Sequence, residues 1–435
     1  MTATQPTVAD PWPAPTVDGP VDAVVTLPGS KSLTNRALVL AALAERPSVV
    51  RRALRSRDTL LMAAALTELG APVDTSSGDW HVTPLAADAG PVYARVDCGL
   101  AGTVMRFVPP VAGLVRGPSV FDGDPHMRNR PVGEVLEALR SLGVAIDDGG
   151  RGALPFTVEG TGTIPGGTVV IDASASSQFV SALLLAGARF EEGVDVRHDG
   201  KPIPSLPHVE MTVAMLRDRG VAVDDSDANR WAVAPGPIAA LDQTVEPDLS
   251  NAAPFVALAA LSGGSVTVRD WPERTTQAGD ALRDLLARMG CTVERVAAGL
   301  RVTGPDDGFR GLTGLDADLH DVGELAPAVA ALCALAQTPS HLTGIAHIRG
   351  HETDRLAALA TELGRLGADV VEHPDGLTIR PAPLTGGVFR TYADHRMAHA
   401  GVIVGAAVRG VLVEDVATTG KTFPDFAGFW SALVS

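Results

Sequence analysis

The sequence predicts an α/β protein of six similar blocks that divide into two domains of three. Two observations carry this. An eight-residue pattern recurs as LTELGAPV, LRSLGVAI, LRDRGVAV, LARMGCTV and LGRLGADV, with its glycine at Gly70, Gly143, Gly220, Gly290 and Gly367, 70 to 77 residues apart. Each copy reads as a helix end, a glycine C-cap and a strand. That interval exceeds a solenoid repeat and suits a block of several strands and helices. A final helical stretch, FPDFAGFWSALVS, can close a sixth block. The second observation is bulk: 435 residues at 46% hydrophobic content supply cores for two or three domains.

Composition narrows the function. Cys98, Cys291 and Cys333 are few, odd in number and far apart, so neither a disulfide framework nor a metal cluster is expected, and a reducing, cytoplasmic setting is. The N-terminal MTATQPTVADPWPAPTVDG lacks a basic region followed by an apolar core, and no apolar run reaches bilayer length; we expect neither secretion nor membrane insertion. A formal charge of −16 argues against nucleic acid as a partner. Any anion site must therefore be a local cationic pocket.

Such pockets are suggested along the chain. LPGSKSLTNRALVLAALA places Lys31, Ser32 and Arg36 at the start of an apolar helix, where free N–H groups and dipole favour a compact anion. It is not a nucleotide P-loop: Ser30, not glycine, precedes Lys31, and Val25 stands where the first glycine would be. CGLAGTVMRF opens another apolar run at Gly102 and Thr103, with Arg106 one turn in. DGDPHMRNRPVGEVLEALRSLG sets Arg128 and Arg130 before Pro131, a residue suited to a first helical turn. SASSQFVSALLLAGA and EPDLSNAAPFVALAAL begin helices with Ser176, Ser177 and Gln178, and with Asp248 and Ser250.

The C-terminal half adds charge. Glu324 follows a turn and precedes an apolar helix, a place for a cap or a general base. His351, Glu352 and Arg355 crowd one helix start, and Glu352 and Arg355 are spaced to pair at i,i+3. Asp394, His395 and His399 resemble metal ligands, but no further His or Cys completes a zinc set and Arg396 would compete; no metal is expected. Lys421 follows a glycine before the last helix. Lys31, Arg130, Arg355, Arg396 and Lys421 are cations that folding could gather around a multiply charged anion.

Seven ordered motifs, LPGSKSLTNRA, AGTVMRF, RNRPV, SASSQFVSALLL, HETDR, DHRMAHA and GKTFPDF, resemble the 5-enolpyruvylshikimate-3-phosphate synthases of the shikimate pathway over nearly the whole chain. The resemblance implies an enolpyruvyl transferase-like α/β fold: two similar domains, each of three βαβαββ units, with the active site in the interdomain cleft. It places one domain at 28–246 and the other at 1–27 with 247–435. It implies transfer of enolpyruvyl from phosphoenolpyruvate to the 5-hydroxyl of 3-phosphoshikimate, in aromatic amino acid biosynthesis, by a cytoplasmic monomer without cofactor that glyphosate inhibits.

Carried over by motif, Lys31, Ser32, Arg36, Ser176, Ser177, Gln178, Ser205, Glu324 and His351 bind 3-phosphoshikimate. Lys31, Gly102, Arg130, Gln178, Arg355, Arg396 and Lys421 bind phosphoenolpyruvate, and Lys31, Glu324 and Glu352 are catalytic. The chain departs from the family pattern in places. Gly323-Glu324 replaces a usual Pro-Asp, His351-Glu352 replaces Lys-Glu, and Leu100 stands where many members carry Asn. If His351 takes over the lysine's charge, 3-phosphoshikimate affinity falls as pH rises; we expect that form over a neutral donor. Two alternatives share the fold: transfer to a UDP-sugar, which uses a loop cysteine that has no counterpart here, and a noncatalytic anion-binding module.

Overall fold

The computed structural model describes residues 11–86 and 90–434. They form two compact units. The first unit is Pro28–Pro247, and the second joins the described residues up to Leu27 to those from Asp248 onward. Each unit has its own hydrophobic core and three small sheets.

In the first unit, α1 (Lys31–Ala42) and α2 (Arg57–Glu68) accompany the sheet Gln243–Thr244, Ser48–Arg51, Trp80–Val82 and Val73–Asp74. Next, α3 (Gly102–Gly113) and α4 (Gly133–Ser141) accompany Ala94–Asp97, Arg116–Asp122, Phe156–Thr161 and Ala145–Asp147. Then α5 (Gln178–Gly187) and α6 (Pro207–Arg217) accompany Gly167–Ile171, Val194–His198, Arg230–Val233 and Val223–Asp224. In the second unit, α7 (Ala253–Ser262) and α8 (Leu282–Arg288) go with Asp22–Val25, Ser265–Arg269, Gly299–Thr303 and Thr292–Val296. The helices α9 (Ala326–Leu335) and α10 (Arg355–Arg365) go with Asp316–Asp318, Ser340–Thr343, Gly376–Arg380 and Asp369–His373. Last come α11 (His395–Ala407) and α12 (Phe426–Val434), with Val388–Phe389, Leu412–Val413 and Trp12–Pro13.

Five of these sheets share one design, a parallel pair of strands followed by an antiparallel pair; in three of them a helix joins the parallel strands, and in the other two the parallel edge strand comes from a distant part of the chain. The sixth departs from it. It has three strands, and its antiparallel edge is Trp12–Pro13 from the far end of the chain. The recurring glycines all adopt positive φ, from 76° at Gly220 to 102° at Gly290 and Gly367, so each turns the outer helix of its block into a strand where a Cβ would be strained.

Helix composition sorts inside from outside. The first helix of every block is buried on nearly all faces; α3 and α9 are buried throughout, and α7 almost so. A helix apolar all round has no stable place except a core. Accordingly α1, α3 and α5 pack together in one unit, as α7, α9 and α11 do in the other. The second helices, such as α4 and α10, bury a single stripe. Each unit thus has three central helices, and their N-termini carry the polar residues singled out from the sequence.

Candidate active site

In the first unit, Ser30 caps α1 by accepting from the Leu33 amide, and its own amide donates to the Glu246 carbonyl at 2.8 Å. Lys31 begins that helix, with Nζ 3.7 Å from Oδ2 of Asp58. Asp58 is buried in the first turn of α2, where the helix dipole favours its charge. Asn35 donates to Thr103 Oγ1 at 2.8 Å, tying α1 to α3. Arg36 lies under the helix start, fully buried, and donates to Thr212 Oγ1, Ser181 Oγ and the carbonyls of Ser32 and His208.

Gly102 opens α3. A Cβ there would come within 3.2 Å of Nη1 of both Arg106 and Arg130, so the absence of a side chain lets two guanidinium groups approach the helix start. Arg106 donates to Gln178 Oε1 at 2.8 Å and, through Nε and Nη2, to the Pro131 carbonyl, which joins α3 to α5 and to the RNRPV segment. Ser176 accepts from the Gln178 amide, Ser177 is the N-cap of α5, and Ser205 is buried nearby in chain order to α6 with φ 53°.

Among the described residues, no carboxylate pairs with Arg36, Arg106 or Arg130, and Nε of Arg130 is buried without a partner. Burial lowers Arg36 to about 9, and burial followed by repulsion from Arg130 holds Arg106 well below its ordinary value. Two cations set into a core without counter-ions, with the half-buried Arg130 beside them, are costly unless an anion completes them. Arg106 was visible in AGTVMRF but had no assigned role; its closeness to Arg130 is a tertiary fact.

The second unit assembles the carboxylates. Glu324 lies in the turn His320–Leu325 before α9, and Oε2 accepts from Arg355 Nη1 and Arg396 Nε, each at 3.3 Å. Its neighbour Gly323 has no room for a side chain, because a Cβ would lie 2.3 Å from Nε2 of His347. Arg355 begins α10 behind its cap Asp354 and grips Asp394 twice, at 2.8 and 3.1 Å. The expected Glu352–Arg355 pair is therefore corrected: buried Arg355 turns to Asp394 and Glu324, while Glu352 takes Lys421 and, at 2.9 Å, His395 Nδ1. The buried guanidinium is better served by the fully buried Asp394 than by its loop neighbour.

Arg396 is anchored by the Ser250 carbonyl at 2.9 Å and Asn251 Oδ1 at 3.1 Å, and Asn251 in turn donates to the Thr422 carbonyl beside Lys421. Burial opposes the charge of Glu324, yet Arg355, His351, Arg396 and His395 outweigh it and hold the carboxyl well below its usual range. For Glu352, burial is likewise overcome, by His395, Lys421 and Arg355. Both are carboxylates at neutral pH. Nδ1 of His351 lies 2.9 Å from Arg355 Nη1 and 3.7 Å from Oε1 of Glu324; the guanidinium calls for an accepting nitrogen and the carboxylate for a donating one, and the shorter contact is with Arg355.

Glu352, Asp394 and His395 have atoms close enough to share an ion, but Lys421 and Arg355 already occupy the carboxylates. His399, grouped with them in the sequence, is buried against Phe426 with ring centroids 4.9 Å apart. No local pattern marks Asp58, Asn251 or Asp394 as partners of the candidate cations, because each meets its cation across 27 to 145 residues of chain.

The EPSP synthase (3-phosphoshikimate 1-carboxyvinyltransferase) family model matches residues 15–430. A curated 3-phosphoshikimate 1-carboxyvinyltransferase from Kocuria rhizophila is 58% identical, covering 98% of this chain and 97% of its own. An EPSP synthase structure from Acinetobacter baumannii superposes with TM-score 0.80 at 25% identity, over 96% of this chain and 97% of that one. The enolpyruvyl transferase NikO from Streptomyces tendae shares the fold, with TM-score 0.74 at 18% identity over 96% of each chain. With a family match across both units and a relative this similar along its full length, the chain belongs to the EPSP synthase family.

Proposed function

We propose that the protein transfers the enolpyruvyl group of phosphoenolpyruvate to the 5-hydroxyl of 3-phosphoshikimate, forming 5-enolpyruvylshikimate 3-phosphate and phosphate. The observation that carries the reading is the set of arginines, the buried Arg36 and Arg106 and the half-buried Arg130, that lack carboxylate partners among the described residues and gather at the starts of α1, α3 and α5. Both substrates are polyanions, and such a site is completed by them.

Lys31, Ser32, Arg36, Ser176, Ser177, Gln178 and Ser205 engage 3-phosphoshikimate, joined by Glu324 and His351. Lys31, Gly102, Arg130 and Gln178, with Arg355, Arg396 and Lys421, engage phosphoenolpyruvate. In the addition step the 5-hydroxyl oxygen bonds to C2 of phosphoenolpyruvate as its proton leaves, and the methylene C3 gains a proton. In the elimination step C3 returns a proton as the bond from C2 to the phosphate oxygen breaks. Glu324, held ionised by two arginines, is suited to take the hydroxyl proton. Glu352 is the other carboxylate, and a proton passed through it can come from His395 or Lys421, which both touch it. Lys31 and the arginines stabilise the charge that develops.

The protein acts as a monomer on small molecules, in the cytoplasm, without nucleic acid as partner. No helix among the described residues is long and apolar enough to cross a membrane. The test is phosphate release from phosphoenolpyruvate in chelator, with 3-phosphoshikimate or UDP-N-acetylglucosamine as acceptor. Turnover with 3-phosphoshikimate alone is expected. Turnover with the UDP-sugar alone, or none from folded protein, overturns the reading.

A further inference from the structure

Between Phe389 and α11 the chain runs Arg390-Thr391-Tyr392-Ala393-Asp394, and its conformation is unusual. Tyr392 and Ala393 have φ of 54° and 56°, two successive left-handed residues with neither a glycine. L side chains resist that region, and such a run persists only where its surroundings over-determine it. The turn is worth holding because the residues it delivers are Asp394, His395 and Arg396.

One helix holds it at both ends. Arg355, the first residue of α10, grips Asp394 through two hydrogen bonds. Two turns further on, Glu362 receives the Arg390 amide at 3.0 Å through Oε2 and the Tyr392 hydroxyl at 2.6 Å through Oε1. Residues seven apart lie on one helical face, so Arg355 and Glu362 form a single clamp. Glu362 is fully buried, whereas its i,i+3 partner Arg365 keeps 37% of its side chain exposed. Tyr392 is itself 40% exposed and contributes little packing that its hydroxyl bond could be incidental to. Burial and the bond to Glu362 raise the phenol to about 12, so it remains a donor throughout the neutral range.

We propose that Glu362 is a positioning residue for the reaction: through Tyr392 and the Arg390 amide it keeps the turn left-handed, and the turn aims Arg396 and Asp394. This inference rests on the function proposed above, specifically on Arg396 binding phosphoenolpyruvate. Glu362 touches neither substrate in it and acts through the turn.

The experiment is steady-state kinetics of wild type, Tyr392→Phe, Glu362→Gln and Ala393→Gly, with thermal unfolding of each. Wild-type turnover establishes the underlying reading on its own, and its absence would sink that reading rather than the clamp. Tyr392→Phe keeps the ring and loses one hydrogen bond, so KM for phosphoenolpyruvate should rise about 3- to 10-fold while KM for 3-phosphoshikimate stays within about 2-fold. Glu362→Gln, which weakens both bonds, should shift the same constant further. Ala393→Gly removes the steric strain, so it should raise the melting temperature while weakening phosphoenolpyruvate, opposite signs that a purely structural clamp would not produce. If Glu362→Gln does not fold, Tyr392→Phe decides. An unchanged phosphoenolpyruvate KM in Tyr392→Phe overturns the proposal, as does a loss of stability with both KM values moving together.

Discussion

With Nδ1 of His351 2.9 Å from Arg355 Nη1 and 3.7 Å from Glu324 Oε1, the shorter contact favours an accepting Nδ1 and a single N–H donor on Nε2. A histidine held this way offers the same hydrogen bond on either side of neutrality, so 3-phosphoshikimate affinity should be nearly flat between about pH 6.5 and pH 8. His351→Lys should change the affinity without changing the shape of that profile. A wild-type profile that falls with pH, and flattens in the variant, would restore the charged form. The sequence could place His351 beside Glu352 but could not see Arg355 Nη1 turned toward its ring. The same holds for Arg106 and Asp394, whose types were plain in AGTVMRF and DHRMAHA. Their partners were not, since a side-chain pair across 39 residues, such as Arg355 with Asp394, depends on packing and leaves no local pattern.

At the scale of elements, legibility was higher, and the reason is chemical. A helix ending at a left-handed glycine is a local event, so the five repeats at Gly70, Gly143, Gly220, Gly290 and Gly367 could be read directly and all recur in the structure. The helix starts were equally readable from their small polar residues. The borrowed strands leave no local pattern, and only the family resemblance placed 1–27 with the second domain: Gln243–Thr244 and Asp22–Val25 each complete a sheet whose other strands lie on the far side of a long chain segment. Among the helices, α10 bears the most functional weight. Its cap Asp354 accepts from the Ala357 amide at 3.1 Å and receives Arg349 at 3.0 Å. Asp354→Ala should cost about 1 kcal/mol and lower the melting temperature by about 2 to 4 °C. Because the cap sets the first turn that carries Arg355, turnover should fall too; a variant with lower stability and full turnover would show that Arg355 does not depend on it.

For the whole molecule, the half-buried His347 and the buried His399 set an acid limit on stability. Burial, followed by repulsion from His320, lowers His347 from 6.5 to about 4, and burial holds His399 well below 6.5. Folded-state values below the unfolded value mean that the unfolded chain binds more protons as pH falls through this range. Their stabilisation is complete above about pH 6.5 and is lost toward pH 4, by up to about 3 kcal/mol for His347. Glu324 and Glu352, also lowered, extend the loss below the usual carboxylate range. Denaturant midpoints at pH 8, 6 and 5 should decline in order, and His347→Gln should shallow the decline. Equal midpoints at pH 8 and pH 5 would show that these rings are not buried in neutral form.

The pairing of Asp22–Val25 with Ser265–Arg269 also bears on how the protein is made. The Asp22 carboxylate meets the Ser265 amide across 243 residues. A ribosome adding about 5 to 20 residues per second leaves that strand without its partner for roughly 10 to 50 s. Meanwhile Pro28–Pro247 emerges complete, and the contact of Ser30 with Glu246 closes it on itself. Biogenesis is therefore nested: the inserted half can mature while the flanking half waits, and a nascent chain stalled shortly after Pro247 would hold one finished unit and one unpaired N-terminal strand.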